Sequence, residues 1–128
     1  MIDGDQAFSG FGVTDLSRTE EFYGDKLGFA LEPFGTGLRL KVGGGTGVFL
    51  YPRPDHEPAT FTVLNFRVDD IDAVADDLIA KGIVFEQYDT VDPKTDSKGI
   101  SRGRTAGTGP NLAWFTDPSG NLLALFEE

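Results

Sequence analysis

The sequence contains no cysteine and a single histidine. The first absence excludes disulfides, thiolate catalysis, zinc ribbons and iron–sulfur clusters. The second excludes any site within one chain that needs two or three imidazoles. Bases are also scarce: 11 Lys and Arg stand against 21 Asp and Glu, a net charge of −10. Phosphate backbones are held by clustered Lys and Arg, so no nucleic-acid partner is expected, and an anionic membrane surface is disfavoured for the same reason. No apolar run reaches bilayer-spanning length, and Met1-Ile2-Asp3-Gly4-Asp5 lacks the basic and apolar regions of a secretion signal. The expectation is therefore no membrane and a cytoplasmic location. What is present suffices for a core: 39% of the 128 residues are hydrophobic and 12% aromatic, enough for one compact domain or two half-domains sharing a core.

Ala7 to Thr14 is an apolar run carrying Phe8, Phe11 and Val13, read as a strand. Ser17-Arg18-Thr19-Glu20 fits a capping box, opening a helix with Phe22, Tyr23 and Leu27 on its apolar face and Gly28 as its stop. Strand-like runs follow at Phe29–Phe34, Leu38–Val42 and Val48–Tyr51, separated by Gly35-Thr36-Gly37 and by Gly43–Gly47. Pro52 to Pro58 holds three prolines and reads as a linker. Beyond it Phe61–Val68 is a strand, and Asp69 or Asp70 caps a helix with Ile71, Val74, Ala75 and Leu78 at helical spacing. Gly82 ends that helix and Ile83–Tyr88 returns as a strand. Asp89–Pro110 is polar, Gly-rich and long for a connection, either a functional loop or partly strand. A hairpin closes the chain: Leu112–Thr116, the turn Asp117-Pro118-Ser119-Gly120, then Leu122–Phe126.

The halves repeat. Val13, Asp15 and Leu16 match Val68, Asp70 and Ile71 at an offset of 55; Gly28, Phe29 and Glu32 match Gly82, Ile83 and Glu86 at 54. Each half reads strand–helix–strand–strand–strand. A unit this small buries little alone, so the two are expected to form one domain over residues 1–128, with module one at 5–52, a linker at 52–60 and module two at 60–128.

With that repeat in place, Val13-Thr14-Asp15-Leu16, Glu21-Phe22-Tyr23, Leu27-Gly28-Phe29 and the closing Phe115-Thr116-Asp117-Pro118-Ser119-Gly120-Asn121 resemble the vicinal oxygen chelate superfamily of glyoxalase I, bleomycin-resistance proteins and extradiol dioxygenases. The resemblance implies an α+β fold: two tandem βαβββ modules forming a curved mixed sheet around a cup-shaped pocket, in a homodimer. In metal-dependent members four positions in the cup supply His, Gln or Glu ligands. By motif spacing these fall on Phe8, Val63, Ala124 and a residue near Phe49. None of the four can bind a metal, so the expectation is no metal and no cofactor.

Elsewhere, Asp55-His56-Glu57 offers an imidazole and two carboxylates in a row, but neighbours on an extended chain point in alternate directions and prolines flank the trio. It reads as solvated linker. Gly43-Gly44-Gly45-Thr46-Gly47 departs from both dinucleotide and Walker patterns and precedes a strand, so a hairpin turn is the better reading. Strand alternation places residues two apart on one face. That nominates Phe8 and Gly10, Phe49 and Tyr51, Val63 and Asn65, and Phe126 beside Ala124, as an aromatic ligand surface with a few polar groups. Trp114, the only Trp, could line a dimer seam, cover a helix or stack on a ligand. Arg39, Arg53, Arg67, Arg102 and Arg104 could clamp anions, but on an acidic protein they read as surface charges.

Two functions follow. One is metal-free binding of a small molecule, of the bleomycin-resistance type, with an aromatic or cationic ligand in the cup or dimer crevice; the acidic balance points to a cation. The other is an enzyme, a glyoxalase-like lyase or isomerase or a dioxygenase relative, with Tyr51, His56 and Glu57 as candidate acid–base groups.

Overall fold

The structure is a computed structural model, and it describes residues 1–90 and 94–128. Val91, Asp92 and Pro93, within the Asp89–Pro110 stretch, lie outside the described residues. The chain forms an α+β fold with two four-stranded mixed sheets. It divides into one unit of Met1–Pro58 with Asp117–Gly120, and another of Ala59–Thr116 with Asn121–Glu128. No helix among the described residues is long and apolar enough to cross a membrane.

In the first unit, β1 (Ser9–Val13) is followed by α1 (Leu16–Glu20), which runs on as a π-helical turn over Glu21–Lys26. β2 (Leu31–Phe34), β3 (Gly37–Leu40) and β4 (Val48–Pro52) complete a sheet of order β1-β4-β3-β2. β1 lies parallel to β4 and the other pairs are antiparallel. Alternation sorts the side chains. Phe11, Val13, Leu38, Leu40, Val48 and Leu50 are buried, as are Phe22 and Tyr23 of the helical segment. The Tyr23 hydroxyl donates to the Asp117 carboxylate at 2.8 Å. Burial, reinforced by the Asp117 charge, holds that phenol far above its usual pKa, so it stays a donor.

The helix start differs from the capping-box expectation. Asp15, not Ser17, is the N-cap: its carboxylate accepts from the Arg18 amide at 3.0 Å. Asp15 is extended and has the reach to the third helical amide. Ser17 is already inside α1. Gly28 takes a φ of +79° as the helical segment ends, as only glycine does without strain.

The second unit repeats the plan. β5 (Leu64–Arg67), α2 (Ile71–Ala80), β6 (Ile100–Arg102), β7 (Asn111–Thr116) and β8 (Leu122–Glu127) give a sheet of order β5-β8-β7-β6. Asp70 caps α2 by accepting from the Ala73 amide, the counterpart of Asp15 at the repeat offset. α2 packs on β7 and β8, burying Ile71, Ala75 and Leu78. Ile83–Tyr88 forms no ladder strand. One backbone bond, Glu86 N–H to the Trp114 carbonyl, ties it to β7, while Phe85 is buried against the Phe115 ring. The place beside β7 is taken by β6, from the Asp89–Pro110 stretch that read as a functional loop or partly strand, followed by the short α3 (Gly103–Ala106).

That segment is held by charge. Arg102 donates to Asp72 of α2 through Nη1 at 2.7 Å and Nη2 at 2.8 Å, and through Nε to Asp96 at 3.0 Å. Lys98 bridges Asp72 and Asp76. The Arg102 and Lys98 hydrogen bonds hold the Asp72 carboxyl well below the usual carboxylate range.

At the start of α2, the Ile71 amide donates to Glu127 Oε2 at 2.9 Å, and Oε1 receives Asn111 Nδ2 at 2.7 Å and Arg104 Nη1 at 3.2 Å. These donors, the Ile71 amide first, lower the Glu127 pKa. A depressed carboxylate adds stability that is present above about pH 4.3, where an unfolded Glu ionises, and lost as pH falls through the folded-state value. Whichever way its amide is turned, Glu127→Gln also sets an NH2 against at least one of these donors. It is expected to cost about 1–2 kcal/mol of unfolding free energy at neutral pH. Urea denaturation should show that gap closing in acid; a gap independent of pH would contradict the role given to the charge.

Candidate functional site

The face of the first sheet opposite its buried side carries the aromatic residues. Cross-strand register sets its rows: Gly10, Phe49, Arg39 and Glu32 lie in one, and Gly12 and Tyr51 in the next, beside the Phe34↔Gly37 pair that closes the β2–β3 hairpin. The rings form a chain of contacts. Phe8 meets Phe34 edge-on at 6.1 Å, Phe34 meets Phe49 edge-on at 5.1 Å, and Phe49 meets Tyr51 at 5.5 Å. Edge-to-face packing lets one ring's positive rim meet the next ring's negative face, while leaving other ring faces open. Phe8 is 52% exposed, and Phe34, Phe49 and Tyr51 are half-buried. Gly10 and Gly12 leave the strand beside Phe49 and Tyr51 bare of side chains.

The Gly12 position is covered instead by His56. A Cβ on Gly12 would lie 2.6 Å from His56 Nδ1. The solvated-linker reading therefore holds for Asp55 and Glu57, which are exposed, but His56 is half-buried on the row of Tyr51. Tyr51 and His56 are thus brought to one face and Glu57 is not. Arg53, on the same connection, pairs with Asp55 at 3.5 Å. The Gly43–Gly47 run is the β3–β4 turn, where Gly43, Gly44 and Gly47 take positive φ and the Thr46 hydroxyl donates to the Ala7 carbonyl at 2.7 Å.

The open face of the second sheet is sparser. Asn65, Ala124 and Trp114 share a row, and Arg67, Phe126 and Leu112 share the next. Val63 precedes β5 on the Asn65 face, its amide donating to the Leu122 carbonyl. Asn65 and Arg67 are exposed, Val63, Trp114 and Phe126 half-buried, and Ala124 is covered, at 1% exposure. Trp114 packs edge-on against Tyr88 at 5.6 Å, away from the side on which Phe115 is buried.

Two residues enlarge the site beyond the sequence reading. Phe34 links Phe8 to Phe49, and the Arg39 guanidinium lies 4.0 Å over the Phe34 ring. The signal was the hairpin. A two-residue Gly35-Thr36 turn puts Glu32 opposite Arg39, and the positive φ of Gly35 alone fits the hairpin type with glycine first. Arg39 is therefore more than a surface charge.

Phe8, Val63 and Ala124, where the resemblance puts metal ligands, offer no donor atom, and neither does Phe49, near which it puts the fourth. Among the described residues no group of three or more His, Cys, Asp or Glu could hold a metal ion. A metal does not fit these positions.

Residues 8–125 match the model of the Glyoxalase/Bleomycin resistance protein/Dioxygenase superfamily. The chain belongs to that superfamily. Among solved structures, TnmS3, an antibiotic binding protein from Streptomyces sp. CB03234, is similar at 25% identity and a TM-score of 0.67, covering 98% of this chain and 96% of that one. A glyoxalase/bleomycin resistance protein from the same Streptomyces strain shares 26% identity at a TM-score of 0.61, covering 94% and 98%. A superfamily member from Sphaerobacter thermophilus DSM 20745 has the same fold at 24% identity and a TM-score of 0.65, covering 94% of each chain. No curated protein shows significant similarity to the sequence.

The Gly12–His56 contact can be read directly, because one histidine gives one imidazole signal. Gly12→Ala should push the ring off the sheet, move its Cε1–H proton resonance toward that of a free imidazole, and cost about 1 kcal/mol or less by thermal melting. An unmoved resonance would refute the placement.

Proposed function

We propose that this superfamily member is a metal-free binding protein for a flat aromatic small molecule, held against the open face of the first sheet. The observation that carries the reading is the chain of ring contacts from Phe8 through Phe34 and Phe49 to Tyr51. Beside it Gly10 gives an approach with no side chain. A solvent-facing aromatic group of this kind is the composition of ligand surfaces rather than of ordinary exterior. The likeness to an antibiotic binding protein supports the same class of function. The charges nearest the rings disfavour a cationic guest: Arg39 and Lys41 share the single carboxylate of Glu32 in one ion-pair group.

The test is calorimetric titration with naphthamide, a neutral flat probe. Saturable binding is expected, weakened roughly five- to tenfold by Phe49→Ala or Phe34→Ala. Ile79→Ala, on the exposed side of α2, should leave it unchanged. Loss of none of the binding in the two Phe variants would overturn the site. Incubation with Ni²⁺, Zn²⁺, Mn²⁺ and Fe²⁺, desalting and elemental analysis should find no stoichiometric metal; retention of one would overturn the metal-free reading.

A second reading, an enzyme, has one observation in its favour: His56 covers Gly12, the cross-strand neighbour of Tyr51. Under it Tyr51→Phe abolishes turnover of a bound compound and leaves its affinity intact.

A further inference from the structure

We propose that Arg39 is an anion anchor within the aromatic face, so that the preferred ligand is a flat aromatic carrying a carboxylate. The inference rests on the binding reading above and narrows its ligand class. The guanidinium sits 4.0 Å over the Phe34 ring, directly across the strand pair from Phe49. Stacking on a ring limits the swing of the side chain and leaves the nitrogen-bearing edges free to meet a ligand in the plane of the fork. Of its donors, Nη1 alone is engaged, with Glu32 Oε1 at 3.2 Å. Nε and Nη2 have no partner among the described residues, and together they form the fork edge that takes a carboxylate with two parallel bonds. The side chain is 35% exposed, so a ligand can reach it.

Glu32 does not cancel the anchor. Its other oxygen, Oε2, lies 3.8 Å from Lys41 Nζ, so the group holds two cations and one anion. A ligand carboxylate arriving at the free edge of Arg39 brings the local charge to zero without displacing Glu32. A cationic ligand would add a third positive charge. Within this ion-pair group the balance is the reverse of the chain's net charge.

The experiment titrates naphthoate and naphthamide, the same ring with and without the charge, into wild type, Arg39→Met and Arg39→Lys at low and high salt. Wild type should bind naphthoate about tenfold more tightly than naphthamide at low salt, the scale of one charge-assisted paired contact. Arg39→Met keeps an apolar stem on Phe34; it should erase the preference while retaining naphthamide binding. Arg39→Lys should keep only part of it, because an ammonium is a point charge without the fork. High salt should shrink the preference in wild type and whatever of it Arg39→Lys keeps, and should change nothing in Arg39→Met. Equal affinities for the two probes in wild type, or a preference that survives Arg39→Met, would overturn the anchor and leave the aromatic site standing. Binding of neither probe would overturn both.

Discussion

The register of β4 is the constraint on which the site depends. It pairs with β1 on one side and β3 on the other, so its register is set twice. Side chains alternate along a strand, and a slip by one residue exchanges the faces. Val48 and Leu50 are buried, which forces Phe49 and Tyr51 to the open side whatever those rings would prefer. Phe34 and Arg39 then meet them because β2 and β3 carry the same alternation outward. The aromatic face is a consequence of where Leu38, Leu40, Val48 and Leu50 must go.

Much of this was legible in the sequence because it depends on periods and local chemistry. The repeat at an offset of 55 pairs Asp15 with Asp70, and each caps its helix through the third helical amide. Alternation placed Phe8, Gly10, Phe49 and Tyr51 on one side, as the structure has them. What was missed depends on distant partners or on small offsets. Ser17 and Asp15 both suit a helix start, and only the backbone conformation at Asp15 decides between them. Ile83–Tyr88 has the composition of a strand, yet the edge of β7 is filled by Ile100–Arg102. That choice is set by Asp72 and Asp96 gripping Arg102, contacts 30 and 6 residues apart. The company kept by Phe34 follows from the length of one turn, and His56 settles on the sheet because Gly12 leaves its place.

The acidic balance shows why a whole-chain charge is a poor guide to a ligand. Several acids serve the fold itself. Asp15, Asp70 and Glu127 accept from amides at helix starts, Asp117 receives Tyr23, and Asp72 and Asp96 hold Arg102. A carboxylate near the first turn of a helix is stabilised by the unsatisfied amides and by the dipole. These charges are local solutions to local problems. In the group of Arg39, Lys41 and Glu32 the balance is the opposite, and near groups outweigh a distant surface once salt screens it.

The positions to which the resemblance assigns metal ligands are Phe8, Val63, Ala124 and a residue near Phe49, and none of these four side chains carries a donor atom. Apolar side chains there cannot hold a metal to polarise an oxygen, and Phe8 and Phe49 present ring surface instead. A phenylalanine left open to water gives up the transfer free energy that burial supplies, about 1.5–3 kcal/mol for a full side chain. Phe8, 52% exposed, forgoes part of that energy, and Phe34, half-buried beside it, forgoes less. The rings gather beside Gly10, which adds no side chain of its own, and beside a guanidinium of which Nη1 alone is engaged. Under the proposed binding reading, a ligand that covers the rings would recover part of that free energy, and Arg39 would select for a carboxylate on it.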